Sequence, residues 1–317
     1  MQHFLDRRIV LMTGKGGVGK TTITAALARY AHSQGRRVLA LDIDKEEQAP
    51  SQLLRLLSGS DAVPRNGYIE IEPNLSYGRL APSLGHAQFL RDQIPFGFLA
   101  TAALRSKHLQ RFLMAAPAFQ DLGSVYKMLP YLRAERKDGS KQYDFVIVDL
   151  PATGHTLAIT SMPEVVLQVF SSGPIANAVR EAQKYFYDTE QTGALLVTLP
   201  EPLPVSETLE LVKGLKGDNV PILGVLMNRV PRNPWTEEEE EALNRLFHEH
   251  KDPFLGTWSF QRAQRFKQAR DTLLRGLEQL SPQPWLFCSP EQGVQITDKP
   301  LLKVADEIAC INEGDAI

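Results

Sequence analysis

Short runs of apolar residues recur along the chain, and they lack the strict alternation of strands that have one exposed face. Continuous apolar runs of this length are typical of parallel strands buried on both faces. Segments with helical periodicity separate most of them, including Thr22–Ser33, Val205–Leu215 and Lys299–Cys310. This alternation predicts an α/β fold with a doubly wound, mostly parallel sheet in one domain over residues 1–317. The apolar runs are Arg8–Thr13, Arg37–Leu41, Leu75–Leu80, Phe145–Val148, Ala194–Leu199, Ile222–Met227 and Trp285–Cys288.

One long interval departs from this alternation. From Gln88 to Arg136 the chain is rich in Leu, Phe, Ala and Met, without strand signals, and Pro95 and Pro117 are expected to separate its helices. We predict a helical subdomain over residues 85–137, inserted within the sheet domain. Its apolar residues either line a surface for an apolar client or form the ordinary packed face of amphipathic helices.

The composition of the chain limits which binding partners and which cellular compartment we expect. The formal net charge is −2, from 35 basic and 37 acidic side chains, and such a balance gives no broad field for nucleic acid. Cys288 and Cys310 are too few for a disulfide framework, which favours a reducing compartment. The short, charged start Met1–Arg8 does not resemble a signal peptide, and no apolar run reaches the roughly 20 residues that span a bilayer. We expect a cytoplasmic protein without a transmembrane segment and without a nucleic-acid partner.

The run Gly14-Lys15-Gly16-Gly17-Val18-Gly19-Lys20-Thr21 fits the phosphate-binding pattern G-x-x-x-x-G-K-S/T, between a predicted strand and a predicted helix. Glycines let backbone N–H groups surround a phosphate, and the helix N-terminus adds a positive dipole. Lys20 is expected to neutralise β- and γ-phosphate oxygens, and the Thr21 hydroxyl to ligate Mg²⁺. The residues predicted to bind nucleotide here are Gly14, Gly16, Gly17, Val18, Gly19, Lys20, Thr21 and Thr22.

A second lysine, Lys15, follows the first glycine of the loop. It lies at the wrong end of the loop to duplicate Lys20. It is therefore available to reach a phosphate across a subunit interface, as an arginine finger does. The alternative is a lysine that faces solvent.

Two carboxylates, Asp42 and Asp44, follow the second predicted strand, at the edge where ligands bind in open α/β sheets. Because side chains alternate along a strand, the two point the same way. One is expected to hold the Mg²⁺ shell, which we assign to Asp42, and Asp44 to orient the attacking water. The alternative for Asp44 is to cap the helix that follows.

A third carboxylate, Asp149, ends the apolar run from Tyr143, in the Walker B pattern that binds Mg²⁺ through water. It is followed by Leu150-Pro151-Ala152-Thr153-Gly154-His155-Thr156. Gly154 is predicted to offer its backbone N–H to a γ-phosphate, which would make this loop a nucleotide-sensing switch. His155 has either a role in that loop or only a local hydrogen bond.

Together these motifs resemble the deviant-Walker ATPases of the arsenite-transporting and tail-anchored-protein-targeting family. The resemblance rests on the loop with its extra lysine, on Asp42-x-Asp44 and on the segment from Asp149 to Thr156. It extends to three further stretches and covers most of the chain. These are Leu199-Pro200-Glu201, Ser206-Glu207-Thr208 and Met227-Asn228-Arg229.

The resemblance implies a homodimer or paired heterodimer that closes over ATP and Mg²⁺. It implies that Lys15 acts in trans, that Asp44 positions water and that Asn228 contacts adenine. From the sequence itself, the Asn/Thr-Lys-x-Asp motif of guanine recognition is absent, which favours ATP over GTP.

The chain also departs from that family. Lys45-Glu46-Glu47 stands where the family usually has Pro-Ala-His after Asp44, and the chain has one phosphate loop where the pump subunit has two fused halves. The family's cysteine motifs for zinc and metalloid are absent. Neither named activity therefore transfers directly.

Three hypotheses stay open on the sequence. The leading one is an ATP-hydrolysing dimeric switch whose helical subdomain transmits nucleotide state to a protein or membrane-associated partner. The second is a nucleotide-dependent binding or scaffold protein with little turnover. The third is a kinase-like or synthetase site that transfers phosphate to a small acceptor, for which no second substrate motif is found.

Overall fold

The computed structural model of the protein describes residues 5–43, 49–61, 63–93, 117–231, 235–250, 257–278, 280, 284–290 and 298–310. Within these residues nine strands form one sheet. The strands are β1 (Ile9–Gly14), β2 (Val38–Asp42), β3 (Tyr68–Glu72), β4 (Leu75–Arg79), β5 (Phe145–Asp149), β6 (Thr192–Thr198), β7 (Ile222–Val230), β8 (Trp285–Pro290) and β9 (Ala309–Cys310).

Helices connect most of the strands. The described α-helices are α1 (Lys20–Ser33), α2 (Gln52–Ser58), α3 (Pro82–Gln93), α4 (Pro117–Arg133), α5 (Thr153–Val169), α6 (Pro174–Phe186), α7 (Pro202–Gly217), α8 (Glu237–His250), α9 (Thr257–Leu277) and α10 (Asp298–Asp306).

The strand order is β3-β4-β2-β5-β1-β6-β7-β8-β9. The seven inner strands, from β4 to β8, pair in parallel, and each of them overlaps one of the predicted apolar runs. The predicted doubly wound, mostly parallel sheet is therefore confirmed. In this order β1 lies between β5 and β6, so the loop after β1 opens at the carboxyl edge in the centre of the sheet.

Both faces of the sheet are covered, which explains the continuous apolar runs. On β1, Leu11 belongs to the core that includes helix α4, whereas Val10 and Met12 belong to the core that includes helix α1. All three are almost completely buried. Side chains alternate between faces along a strand, and here both faces are apolar, so no polar positions interrupt the run.

The edges of the sheet differ from the prediction. Strand β3 pairs antiparallel with β4, and its sequence Tyr-Ile-Glu-Ile-Glu alternates because one side is exposed. Strand β9 pairs antiparallel with β8, so the predicted helix Lys299–Cys310 is wrong at its end. The Ile308 N–H donates to the Ala305 carbonyl, which tightens the last turn of α10 and turns the chain into the sheet edge.

The predicted subdomain over residues 85–137 contains helix α4 and most of α3, and residues 94–116 lie outside the described residues. The two helices cross closely, because a Cβ built on Gly85 would lie 1.7 Å from the Gly123 carbonyl oxygen. Phe89 packs edge-on against Tyr126, with ring centroids 5.2 Å apart. The independent subdomain stays a prediction.

Among the helices of the described residues, none has both the length and the apolar character needed to cross a membrane. The expected cytoplasmic location stays a prediction.

Candidate nucleotide-binding site

The predicted phosphate loop lies between the end of β1 and the start of α1. Gly14 has φ +138°, and a Cβ at this position would lie 2.2 Å from the Val197 carbonyl oxygen of strand β6. Only glycine allows the chain to leave the strand here. Helix α1 begins at Lys20, directly after Gly19, and the first N–H groups of a helix have no intrahelical acceptor. The loop therefore presents backbone donors and a positive dipole to an anion.

Lys20 is the first residue of helix α1. Its ammonium group donates to the Lys15 carbonyl oxygen at 3.0 Å, across the mouth of the loop. Burial lowers the pKa of Lys20, and the neighbouring Asp149 carboxylate opposes that shift. A half-buried cation at the start of a helix is suited to bind phosphate oxygens.

Asp149, at the end of β5, is joined to the loop by hydrogen bonds. The Thr21 hydroxyl donates to Asp149 Oδ2 at 2.7 Å, and Thr24 donates to Oδ1 at 3.3 Å. Desolvation is the main cause that raises the pKa of Asp149 to about 6, and the charge of Asp42 adds to it. Burial thus disfavours the charged form of this carboxylate, and a cation bound beside it would favour that form.

Asp42 ends β2 and lies in register with Asp149 on one side and with Arg79 on the other. Its carboxylate accepts hydrogen bonds from the Tyr77 hydroxyl on Oδ1, at 2.7 Å, and from the Ser51 hydroxyl on Oδ2, at 2.6 Å. The two hydroxyl donors fix the orientation of the carboxylate, and an ionised carboxylate is a ligand suited to Mg²⁺ or to its bound water. Its assignment to the Mg²⁺ shell stays a prediction.

Asp44 lies outside the described residues, and so do residues 45–48. The two alternatives for Asp44 therefore stay predictions, and the next described helix, α2, begins at Gln52. Its N-cap is Ser51, whose hydroxyl oxygen accepts a hydrogen bond from the Leu54 N–H at 3.1 Å. A serine at this position satisfies one of the free N–H groups of the first turn.

A cavity of about 330 Å³ opens beside these groups, lined by Lys20, Thr21, Asp42, Ser51 and Asp149 among others. A hydroxyl and two carboxylates are hard oxygen ligands of the kind that Mg²⁺ prefers. The lysine and the helix N-terminus complement phosphate charge. The donor set thus fits a triphosphate with Mg²⁺.

Lys15 is not merely a lysine that faces solvent, because it forms an ion pair. Its ammonium group lies 2.8 Å from Glu207 Oε1, on helix α7, in a half-exposed ion pair. The other oxygen, Glu207 Oε2, is buried without a hydrogen-bond partner among the described residues. The ion pair holds Lys15 within its own chain, and the trans role of this lysine stays a prediction.

The segment after Asp149 enters helix α5 at Thr153. Gly154 is the second residue of that helix, so its N–H is one of the free donors of the first turn. Thr156 is buried, and its hydroxyl lies 2.7 Å from the Thr13 hydroxyl and 2.9 Å from the Pro151 carbonyl oxygen. Since Thr156 donates to Pro151, Thr13 must donate to Thr156. The start of α5 is thereby tied to the end of β1. The side chain of His155 lies outside the part of the structure that is described.

Asn228 is buried near the end of β7, and its amide donates to the Val18 carbonyl oxygen at 2.8 Å. A Cβ on Gly19 would lie 2.4 Å from the Asn228 amide nitrogen. Asn228 therefore supports the backbone of the phosphate loop through this hydrogen bond. Its contact with adenine stays a prediction.

The sequence reasoning missed three residues at or beside the site, Ser51, Tyr77 and Arg79, and it missed the ion-pair role of Glu207. Ser51 has a local signal, because a serine before an apolar helix is a typical N-cap. Tyr77 and Arg79 are in an apolar strand without a motif, and only strand pairing brings them beside Asp42.

The sheet and the loop define this protein as a P-loop nucleotide-binding protein of the α/β class. A profile of the family described as anion-transporting ATPase matches residues 7–174, more than half of the chain. The chain belongs to this anion-transporting ATPase family.

Individual relatives agree with this assignment. The chain is 31% identical to ATPase BagA of Mycobacterium tuberculosis over 229 residues, which cover 70% of this chain and 65% of that protein. It is 23% identical to ATPase GET3C of Arabidopsis thaliana over 267 residues, covering 71% and 67%. It is 27% identical to an ATPase ASNA1 homolog of Trypanosoma cruzi over 298 residues, covering 74% and 77%. The match thus spans slightly less than two thirds of the mycobacterial relative.

Proposed function

We propose that the protein is a Mg²⁺-dependent ATPase that hydrolyses ATP to ADP and phosphate. One observation carries the proposal: the 2.7 Å hydrogen bond between Thr21 and Asp149. It brings together two groups that are 128 residues apart in the chain, beside Lys20 in one cavity. The relatives named as ATPases support the same activity.

In this proposal the backbone donors of the loop and the Lys20 ammonium group bind the β- and γ-phosphate oxygens. Thr21 and Asp149 would hold Mg²⁺, with Asp42 in its outer shell, and the ion supplies charge neutralisation when bound. Asp44 is proposed to orient the water that attacks the γ-phosphorus as the bond to the bridging oxygen breaks. The free N–H of Gly154 is proposed to contact the γ-phosphate.

ATP binding and single-turnover hydrolysis test this function. Wild type is expected to bind ATP more tightly with Mg²⁺ than without it and to hydrolyse ATP only with Mg²⁺, and Lys20→Ala to lose most phosphate release. Lys213→Ala, on the exposed face of α7, is the matched control and is expected to keep wild-type rates. If the wild-type protein binds no ATP, the proposal is wrong.

We further propose that two copies of the chain close over nucleotide, with Lys15 of each reaching the other's site. Lys15 must then leave Glu207, to which it is bound within one chain. Mixing two inactive variants tests the idea. Lys15→Ala keeps a complete Lys20 site, and Lys20→Ala still supplies Lys15, so mixed dimers contain one complete site. The mixture should recover about one quarter of the wild-type rate, because half of randomly paired dimers are mixed. No recovery in a mixture shown to form mixed dimers would contradict a trans role.

The helices of the predicted subdomain are proposed to carry nucleotide state to a protein or membrane-associated partner. Helix α4 packs against α5, which begins at the nucleotide pocket. The Tyr126 hydroxyl of α4 donates to Asp92 of α3 at 2.8 Å, so all three helices are linked. Hydrogen exchange of peptides from α3 and α4 should slow when ATP and Mg²⁺ are added, whereas peptides from α9 should not change. Equal exchange in α3 and α4 with and without nucleotide would contradict this coupling.

The cis ion pair of Lys15 also supports a second candidate, a nucleotide-dependent binding protein with little turnover. The two candidates differ in the effect of Lys15→Ala and Asp44→Asn on phosphate release. A catalytic switch loses release in both variants, whereas a binding protein shows the same slow release as wild type.

A further inference from the structure

A buried polar cluster lies on the outer side of the nucleotide cavity. It consists of Asp42, Ser51, Tyr77 and Arg79, which are 9%, 3%, 0% and 1% exposed. Arg79 has the largest side chain among the fully buried residues that the structure describes. Burying a guanidinium group is costly unless it is paired and hydrogen-bonded, so its position beside the carboxylate of Asp42 requires a specific network.

The hydrogen bonds of the cluster form a chain of donors that ends at Asp42. Arg79 Nε donates to the Tyr77 hydroxyl oxygen at 3.4 Å, and the Tyr77 hydroxyl donates to Asp42 Oδ1 at 2.7 Å. The donor from Arg79 occupies the acceptor side of the tyrosine hydroxyl, which directs its proton to Asp42. Ser51 holds the other oxygen of Asp42, so the plane of the carboxylate is fixed by two donors.

The same cluster ties two parts of the chain to each other. Arg79 Nη2 donates to the Ala49 carbonyl oxygen at 2.7 Å, two residues before Ser51. Strand pairing places Arg79, Asp42 and Asp149 side by side at the carboxyl edge of three neighbouring strands. Asp42 and Ser51 line the cavity, whereas neither Tyr77 nor Arg79 is among its lining residues.

We propose that Tyr77 and Arg79 are positioning residues that hold the Asp42 carboxylate in place for Mg²⁺-dependent use of the nucleotide. This inference rests on the proposed ATPase function and adds two residues to it. They touch neither nucleotide nor metal and act through Asp42. The loss of their hydrogen bonds leaves Asp42 free to rotate away from the orientation that the site requires.

Tyr77→Phe removes only the hydroxyl. Arg79→Lys keeps the positive charge but loses the guanidinium group that donates to both Tyr77 and Ala49. Tyr143→Phe is the matched control, since its hydroxyl donates to the Tyr68 hydroxyl and Tyr143 lies two residues before β5, at the amino end of that strand. Three quantities are measured: the turnover number, the Mg²⁺ concentration at half-maximal rate, and the affinity for a fluorescent ATP analogue in EDTA. Tyr77→Phe and Arg79→Lys should each lower turnover by roughly tenfold or more. They should also raise the half-maximal Mg²⁺ concentration several-fold, with affinity in EDTA unchanged.

The control should behave as wild type in all three measurements. Two results would overturn the inference. One is a Tyr77→Phe protein with wild-type turnover and wild-type Mg²⁺ dependence. The other is a loss of affinity in EDTA that matches the loss of turnover, because general loosening of the fold would produce that pattern.

The positioning role of Tyr77 can be tested even if the proposed ATPase function is wrong. If wild type binds nucleotide without hydrolysing it, the increase in nucleotide affinity on adding Mg²⁺ is the readout. That increase should be several-fold smaller in Tyr77→Phe than in wild type. An equal increase in both proteins would overturn the positioning role.

Discussion

Replacing Gly14 by alanine tests whether the phosphate loop depends on a backbone conformation and a close contact that only glycine allows. Gly14 is the last residue of β1 and has φ +138°. An added Cβ would lie 2.2 Å from the backbone oxygen of Val197, which cannot move without disturbing strand β6. Gly16 is the control in the same loop: its φ is not in the positive range, and its nearest neighbour would be the Ala152 Cβ at 4.0 Å.

The magnitude follows from two contributions. A side chain at such a positive φ costs about 1–3 kcal/mol. Forcing a methyl group against fixed backbone costs about another 1–3 kcal/mol. The sum, about 2–6 kcal/mol, is a large fraction of the 5–15 kcal/mol by which folded domains are typically stable. Gly17→Ala separates the contributions, because Gly17 has φ +82° and nothing within 4 Å of the added Cβ. It should cost about 1–2 kcal/mol.

Thermal unfolding in the absence of nucleotide, monitored by circular dichroism, gives the melting temperatures of the three variants. With an unfolding entropy of about 2.1 cal/mol/K per residue, a chain of 317 residues melts about 1.5 °C lower per kcal/mol lost, so Gly14→Ala should melt about 3–9 °C below wild type. Gly17→Ala should fall between, and Gly16→Ala should stay within about 1 °C of wild type. Equal melting temperatures for Gly14→Ala and Gly16→Ala would refute the reasoning.

Three other predictions concern the site. Thr21→Val should weaken nucleotide binding at least tenfold in Mg²⁺ and leave it unchanged in EDTA, because it removes an oxygen ligand and the donor to Asp149. Thr272→Val, on the exposed face of α9, is the control, and calorimetry would contradict the prediction if both variants bound alike. Glu207→Gln should raise the ATP-dependent dimerisation constant at most about thirtyfold, since each dimer breaks two half-exposed ion pairs that contribute no more than about 1 kcal/mol each. Light scattering that shows no change or a decrease would count against a restraining role. Asn228→Ala should lower the free energy of unfolding by about 1–3 kcal/mol, because it leaves the Val18 carbonyl without its buried donor; an unchanged urea midpoint would show that the bond is unimportant.

The inner sheet and the phosphate loop were predictable because both are encoded locally. Strands buried on two faces appear as continuous apolar runs, and all seven inner strands were found in this way. The loop has a fixed spacing of glycines and a lysine immediately after a strand. The edge strands were not found, because β3 is half-exposed and β9 has only two residues, so their pairing depends on neighbours rather than on their own pattern.

The contacts around the site show what could not be predicted from the sequence. Asp149 was recognised from the strand that it ends, but its hydrogen bond to Thr21 requires strands β1 and β5 to be adjacent. Tyr77 and Arg79 had no motif at all, since an arginine inside an apolar strand gives no local sign of what it will face. The ion pair of Lys15 with Glu207 spans 192 residues and depends on where helix α7 packs.

By itself, the sequence determined the class of the fold, the position of the phosphate loop and the identity of the residues suited to phosphate and Mg²⁺. These follow from local rules: side-chain periodicity, glycine spacing and the ligand preference of a hard cation. Only the tertiary structure decided which donors hold Asp42, which acid pairs with Lys15 and which residue braces the loop from behind. Those contacts join side chains from strands and helices that are distant in the chain, and the order of strands in the sheet determines which of them meet.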